Sequence, residues 1–171
     1  MPDAPKRRPP ESADIVLVLA ELARHRVEYA LLGGTAMALH GFPRMTKDID
    51  LLLPRDVRNN ARLLKALTAL RSNLSLDVIP DKKTLDAGFS TSAEGELGID
   101  LLFVAASRTF ADYRKHIVER ALDGVPVKVL DVDGMLMSKQ TDRPEDIPDL
   151  QRLARLKGPG GTRRSARDDS P

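Results

Sequence analysis

Hydrophobic residues recur along most of the chain at the spacing of amphipathic helices or in short runs typical of buried strands. Helical spacing is clearest in residues 12–26, where Ser12 is a suitable N-cap, and in residues 56–70. Short apolar runs bounded by glycine, proline or polar residues predict strands. The predicted strands are residues 27–32, 48–53, 74–79, 98–104 and 125–130, and further helices are predicted at residues 35–40, 132–140 and 145–156.

Two segments do not follow either period clearly. Residues 80–96 are polar and contain two glycines, so they are predicted as a loop or a long hairpin connection. Residues 110–122 fit a helix and a strand equally well. Strands that alternate with helices, and helices at both ends, predict an α+β fold with a mixed sheet of about five strands covered by helices.

Composition limits the class of protein. A chain of 171 residues with 42% hydrophobic and 30% charged residues suits one soluble domain, and no apolar run approaches the roughly 18 residues of a membrane span. The absence of cysteine excludes disulfides, thiolate metal sites and a cysteine nucleophile. The first ten residues lack the apolar stretch of a secretory signal, so a cytoplasmic protein without a membrane partner is expected.

The net charge of +2 comes from the two ends of the chain. Residues 1–12 and 158–171 are rich in proline, glycine, serine and basic side chains, whereas residues 13–157 hold 21 basic and 21 acidic side chains. Segments of this composition cannot bury a core. The sequence therefore predicts a globular domain over residues 13–157 between two disordered tails, whose arginines and lysine could add non-specific affinity for phosphate.

Two carboxylates interrupt the apolar strand 48–53. Strand side chains alternate, so Asp48 and Asp50 project from one face while Ile49 points into the core. Two residues along a strand span roughly 6.6 Å, which suits a pair of divalent ions roughly 3.5 to 4 Å apart. Mg²⁺ is usually held by few carboxylates together with substrate phosphates. Asp100, the only charge in strand 98–104, could supply a third ligand.

Each of these features also has a purely structural explanation. An Asp-x-Asp pair is more often a solvated strand end or a turn, a glycine pair after a strand is usually a turn, and Asp100 could be a hydrogen-bonded core carboxylate. Their order favours chemistry, because Gly33-Gly34 end one strand and open a helix just before the acidic strand. Backbone N–H groups at such a turn bind anions. A phosphate-binding turn that faces the acidic strand is therefore expected.

The run LLGGTAMALHGFPRMTKDIDLLL, residues 31–53, resembles the signature of the nucleotidyltransferase superfamily related to DNA polymerase beta. GIDLLF, residues 98–103, is similar to the strand that contributes the third carboxylate of that family. The resemblance covers roughly residues 14–156. It extends to the closing helices of small bacterial members, the minimal and abortive-infection-like enzymes, through Ser138, Lys139, Arg143, Asp146 and Asp149.

The resemblance implies a metal centre. Asp48 and Asp50 match the metal ligands, with two Mg²⁺ ions expected and Mn²⁺ as the alternative. Asp100 matches the third acidic residue, which helps to hold the catalytic metal and can accept the proton of the attacking hydroxyl. Asp77 is a rival for this role, but only Asp100 has apolar flanks that repeat those of Asp50.

The resemblance also implies a nucleotide site. Gly33, Gly34 and Thr35 match the turn that contacts the phosphates of an NTP, and Lys139 resembles a helix lysine that meets the triphosphate. Arg44 and Lys47 lie between the glycine turn and the acidic strand, where a cation could neutralise the pyrophosphate leaving group. All three cations could equally be solvated surface charges.

The function implied is transfer of a nucleoside monophosphate from an NTP, such as ATP, to a hydroxyl on RNA, for example a tRNA end, or on a protein. Small members of the family act in toxin–antitoxin systems, so a cognate toxin or antitoxin is an expected partner. Two alternatives stay open. One is a nucleotide- or RNA-binding module without turnover, and the other is an antitoxin that works by binding its toxin. The complete set of three carboxylates favours the enzyme.

Overall fold

The computed structural model describes residues 7–158, and a mixed sheet lies at its centre. The strands are β1 (Ala30–Leu32), β2 (Asp48–Leu52), β3 (Thr91–Glu94), β4 (Gly98–Leu102), β5 (Val104–Ala105), β6 (Arg108–Thr109), β7 (Ile117–Leu122) and β8 (Val125–Leu130). The helices are α1 (Ser12–Arg24), α2 (Gly33–Leu39), α3 (Val57–Leu70), α4 (Lys82–Asp86), α5 (Phe110–Tyr113), α6 (Val132–Ser138) and α7 (Ile147–Lys157). Short 3₁₀ turns follow α5 and precede α7.

The central sheet has six strands in the order β3-β4-β2-β1-β8-β7, and β5 and β6 form a separate hairpin. β2 pairs antiparallel with β1 and parallel with β4, and β1 pairs parallel with β8. The two edge strands, β3 and β7, are antiparallel to their neighbours. The predicted mixed α+β class is confirmed, with six strands in place of about five.

The core explains why β2 carries two carboxylates. Ile49 and Leu51 are completely buried, whereas Asp48 and Asp50, which alternate with them, are partly exposed. One side of the strand therefore contributes to the hydrophobic core and the other side is open to polar chemistry, as the period of two predicts. Helices α1 and α3 pack against each other and contribute many of the fully buried leucines.

The predicted strand at residues 74–79 is wrong. Ser75 has a φ of 46°, which interrupts an extended backbone, and only Val78 makes an isolated bridge to Glu94. Leu74 and Leu76 are nevertheless buried, so the apolar run fills the core without joining the sheet. The edge strand is instead β3, within the polar stretch 80–96 predicted as a loop or a long hairpin connection. An edge strand needs little apolar character, and Ala93 is the only buried residue of β3.

Other boundaries also differ. The ambiguous residues 110–122 divide into α5, a 3₁₀ turn and β7. Glu11, and not Ser12, is the N-cap of α1, since its backbone N–H donates to the Asp14 carboxylate at 2.8 Å. Gly33 already belongs to α2, so the glycine pair forms the first turn of that helix.

The predicted tails are partly described. Residues 1–6 and 159–171 lie outside the described residues, so their disorder stays a prediction. The Arg8 backbone N–H donates to the Glu96 carbonyl at 2.8 Å, which places the segment before α1 against the start of β4. Among residues 7–158, none of the helices is both long and apolar enough to cross a membrane.

We expect Asn59→Ala to lower the free energy of unfolding by about 2 kcal/mol. The fully buried Asn59 amide accepts from the Glu28 backbone N–H at 2.7 Å and donates to the Glu28 carbonyl at 2.8 Å, so truncation leaves both groups without partners. Urea unfolding measures the loss, and Thr68→Ala, an exposed position on the same helix, is the control. A loss no larger than that of the control would contradict this role.

Candidate active site

The parallel register of β2 and β4 assembles the acidic centre. It pairs Asp50 with Asp100 and Asp48 with Gly98, so the third carboxylate stands directly beside Asp50 on the same face of the sheet. Asp77 is exposed, and its backbone N–H bonds to Glu94 at the edge of the sheet. The structure therefore brings together the three carboxylates singled out in the sequence and leaves the rival Asp77 outside.

The three carboxylates are costly to ionise together. Burial raises the pKa of Asp50 to about 7, and a hydrogen bond with Asp100 and the charges of Asp100 and Asp48 act in the same direction. The positive charge of Lys139 opposes this shift. Burial and the charge of Asp100 likewise raise the pKa of Asp48. A divalent cation would relieve the repulsion within such a group of oxygen donors.

Two glycines provide the space that these carboxylates occupy. Gly33 has a φ of +72°, and a Cβ at this position would overlap the Asp50 carboxylate. A Cβ at Gly98 would overlap the Asp48 carboxylate. The sequence prediction missed Gly98, although comparison of KDIDLLL with LGIDLLF aligns it with Asp48. The glycine turn therefore has a steric role toward the acidic centre, separate from any contact with phosphate.

The second residue of the glycine pair contacts the loop before β2. A Cβ at Gly34 would lie 2.7 Å from the Thr46 Cβ, so glycine is needed for this close approach. Thr35 is only 4% exposed, and its hydroxyl oxygen has no hydrogen-bond partner in the described part of the chain. Both residues line a cleft of about 420 Å³, together with Arg44 and Thr46. An unpaired buried hydroxyl beside a cleft is a ready hydrogen-bonding group for a ligand.

The three candidate cations differ in their surroundings. Arg44 pairs with the buried carboxylate of Asp149 at 3.0 Å. The Lys139 side chain is 8% exposed and lies 3.1 Å from Asp149, which excludes a freely solvated lysine. Lys47 is exposed, and its charge lowers the pKa of Asp48 against the larger effect of burial. Lys139 and Arg44 thus meet at one carboxylate, whereas Lys47 stands apart beside Asp48.

Arg7 was not among the predicted site residues, because it belongs to the predicted N-terminal tail. Its guanidinium forms an ion pair with the Asp48 carboxylate. The adjacent Arg8 holds this segment in place through two bonds to Asp14, at 2.6 and 3.0 Å. The only sequence signal was the Arg-Arg pair itself, which has no periodic or motif context.

The acidic centre suits a hard divalent cation by its chemistry, since all of its donors are carboxylate oxygens. Within residues 7–158, however, no three acidic or histidine side chains converge closely enough to enclose an ion. Asp48 is engaged by Arg7, and Asp50 by Asp100. Metal binding therefore requires that Asp48 exchange its arginine partner for the ion.

The comparisons with known proteins agree with the fold. A family model described as the nucleotidyl transferase AbiEii toxin of a type IV toxin–antitoxin system matches residues 17–165. None of the curated proteins gives a match to the sequence.

Among solved structures, an antigenic nucleotidyltransferase-like protein from Paracoccidioides brasiliensis is similar at 22% identity, with 88% of this chain and 78% of that chain covered and a TM-score of 0.53. The antibiotic-resistance factor ANT(2'')-Ia is similar at 21% identity, with coverages of 85% and 83% and a TM-score of 0.55. Its complex with adenylyl-2''-tobramycin gives 18% identity, coverages of 85% and 88%, and a TM-score of 0.56. At these identities the solved structures establish the fold alone.

We expect Asp50→Asn to stabilise the metal-free protein at about pH 8 and to have little effect at about pH 4. The pKa of Asp50 is about 7 in the folded protein against an ordinary 3.8. Between these two pH values the folded state therefore keeps a proton that the unfolded state loses. Wild-type stability falls as the pH rises through this range, whereas asparagine has no proton to lose. Urea unfolding in EDTA measures both proteins. If Asp50→Asn were less stable than the wild type at about pH 8, the raised pKa of Asp50 would be contradicted.

Removal of the competing cation should strengthen metal binding. We expect Arg7→Ala to bind Mg²⁺ or Mn²⁺ up to about fivefold more tightly than the wild type, the effect of losing a partly exposed ion pair. Calorimetric titration measures the affinity, with Arg58→Ala, an exposed arginine on α3, as the control for a change in net charge. Equal affinities of Arg7→Ala and the wild type would show that Arg7 does not compete.

Proposed function

Because the chain belongs to the AbiEii family of nucleotidyl transferase toxins of type IV toxin–antitoxin systems, we propose that it transfers a nucleoside monophosphate from an NTP to a hydroxyl group of an acceptor. The observation that carries this proposal is the register of β2 and β4, which places Asp100 beside Asp50 and opposite the glycine turn. Family membership favours a toxin over an antitoxin. The cognate antitoxin is then the expected protein partner.

Asp48, Asp50 and Asp100 would hold two Mg²⁺ ions, or Mn²⁺ in their place. The bound metal would supply charge neutralisation at the triphosphate and at the entering and leaving oxygens. Asp100 would accept the proton of the acceptor hydroxyl, and its place beside Asp50 supports this role. Gly33 and Gly98 keep this face free of side chains that would displace the carboxylates.

The cleft of about 420 Å³ beside the glycine turn would bind the nucleotide phosphates. The Thr35 hydroxyl, which has no hydrogen-bond partner among residues 7–158, and the backbone N–H groups of Gly33 and Gly34 would contact phosphate oxygens. Arg44 lines the same cleft and would neutralise the departing pyrophosphate, with Lys139 behind it. Lys47, exposed beside Asp48, would add positive charge at the entrance.

The charge of a neighbouring cleft favours RNA as the acceptor. This cleft of about 580 Å³ is lined by Arg7, Arg8, Pro9, Met45, Thr46 and Lys47. Lys47 is exposed, and Arg7 would become available when a metal ion replaces it at Asp48. Arg8 stays paired with Asp14. This second cleft adjoins the first through Pro9, Met45 and Thr46. Such a surface attracts a phosphate backbone and repels a cationic acceptor. The exposed Met45 offers an apolar contact to a base. We therefore favour an RNA end, with tRNA as the first candidate, over a protein hydroxyl.

The decisive experiment incubates the protein with each of four α-labelled NTPs, Mg²⁺ and cell extract. We expect label in material that RNase removes and protease leaves, and we expect Asp48→Asn/Asp50→Asn to reduce labelling to background because the acidic centre is lost. The double variant should stay folded, since it removes two mutually repelling charges. Thermal melting in EDTA checks this.

Three outcomes distinguish the alternatives. Label in protease-sensitive material would make a protein the acceptor. No label with any NTP in Mg²⁺ or Mn²⁺, although the wild type binds Mg-NTP, would favour a binding module without turnover. Wild-type protein that neither transfers label nor binds any nucleotide would overturn the proposal and leave the interaction role.

A further inference from the structure

A buried cluster of ion pairs lies behind the glycine turn. Two carboxylates, Asp146 and Asp149, are almost completely buried at the start of α7. Four cations lie within ion-pair distance of them, namely Arg44, Lys139, Arg143 and Arg152. Lys139 is nearly as buried as the two carboxylates, whereas the three arginines are 36–63% exposed. Among the described residues the group carries two more positive than negative charges, and this excess lies on its open side, where it would attract an anion.

The two carboxylates hold the cations in different ways. Asp146 accepts hydrogen bonds from Lys139 and Arg143, both at 3.2 Å, and from the Thr141 hydroxyl. Although burial alone would raise it, these bonds lower the pKa of Asp146. Asp149 is completely buried, and neither of its oxygens accepts a hydrogen bond of normal geometry within the described residues. It attracts its neighbours by charge.

Asp149 is the shared partner of the two cations nearest the candidate site. Its Oδ2 atom lies 3.0 Å from Arg44 Nη2 and 3.1 Å from Lys139 Nζ. Two cations this close to one another would separate without the carboxylate between them. Arg44, which is 36% exposed, would be free to turn into solvent, whereas Lys139 would keep its bond to Asp146.

Arg44 connects Asp149 with the candidate site, and Lys139 lies beside it. Arg44 lines the cleft with Gly34 and Thr35, and its Nε atom lies 3.6 Å from the position of a Gly34 Cβ. Lys139 Nζ is held beside Arg44 by the same Asp149 oxygen, and its charge also lowers the pKa of Asp50. Since Asp149 bonds neither cation with good geometry, their N–H groups stay available to another acceptor. Arg44 has no aligned acceptor within residues 7–158.

We infer that Asp149 is a positioning residue, which holds Arg44 and Lys139 together so that both act on the polyphosphate of the nucleotide. This inference rests on the proposed function, because it assigns the polyphosphate to that cleft. It adds a group that touches neither nucleotide nor acceptor. The chemistry it serves is recognition of two or more linked phosphates, since a single phosphate needs only one of the two cations.

The test is a mutant cycle read by nucleotide binding. Calorimetry with Mg-NTP, the corresponding NMP and inorganic triphosphate compares the wild type, Asp149→Asn, Arg44→Met/Lys139→Met and the triple variant. We expect Asp149→Asn to weaken binding of the NTP and of triphosphate about tenfold or more, the effect of one lost charge-assisted bond, and to leave NMP binding within about twofold. In the Arg44→Met/Lys139→Met background, Asp149→Asn should change binding less than about twofold, because the groups it positions are gone.

Two controls keep the test decisive. Asp86→Asn makes the same chemical change on α4, where Asp86 pairs with Lys82, and should bind all three ligands as the wild type does. If Asp149→Asn does not fold, as judged by circular dichroism, Asp149→Glu takes its place. That variant keeps the negative charge but moves it by the length of one methylene group. We expect it to lower the ratio of NTP affinity to NMP affinity by about threefold, with a near-normal melting temperature.

The failures are distinguishable. A wild type that binds none of the three ligands overturns the proposed function. A wild type that binds them, with Asp149→Asn equally tight or with equal losses for NTP and NMP, leaves the proposed function intact and overturns the positioning role. Multiplicative losses in the triple variant would likewise show that Asp149 acts independently of Arg44 and Lys139.

Discussion

The parallel pairing of β2 with β4 puts two carboxylates side by side in the middle of a sheet. These carboxylates repel each other, and the rest of the site accommodates their repulsion. Asp50 and Asp100 face each other in register, and Asp48 is two residues away on the same strand. Burial raises the pKa of Asp50 far above its ordinary value, and the hydrogen bond with Asp100 and the like charges at this spacing add to the shift. A fold selected only for stability would place uncharged residues here, so the arrangement indicates chemistry.

The surrounding residues compensate for the acidic centre in two ways. Gly33 and Gly98 remove the side chains that would occupy the space of the carboxylates. Arg7 and Lys139 bring positive charge toward them from opposite ends of the described chain. These cations offset only part of the repulsion, since the pKa values of Asp48 and Asp50 both stay raised.

The positively charged side of the site needs a negative charge to hold its cations together. Arg44 and Lys139 come from a loop and from the end of α6, and neither segment would hold its cation in place alone. The first turn of α7 supplies the missing negative charge through Asp149. Arg44 of the positively charged cluster thus lines the cleft beside Gly34, and the neighbouring Gly33 adjoins the acidic centre at Asp50. This polarity matches a substrate that carries both metal ions and phosphates.

The sequence alone determined the alternation of buried and polar side chains in β2, the helices α1 and α3, and the mixed fold class. It also determined the choice of Asp100 over Asp77 as the neighbour of Asp50. Periodicity and local motifs are sufficient for this, because they indicate which face of an element is polar. The sequence prediction misassigned residues 74–79 and the edge strand β3, since an apolar run that fills the core looks like a strand. An edge strand with one buried residue, in turn, does not look like one.

Only the tertiary structure decided which charges meet. Arg7 and Asp48 are 41 residues apart, and Arg44 and Asp149 are still more distant along the chain. No local pattern encodes such pairs, because they depend on how the sheet register and the packing of α7 bring separate segments together. The residue types that the chemistry requires can be identified from their order along the chain. Their partners, their burial and their shifted pKa values are properties of the fold.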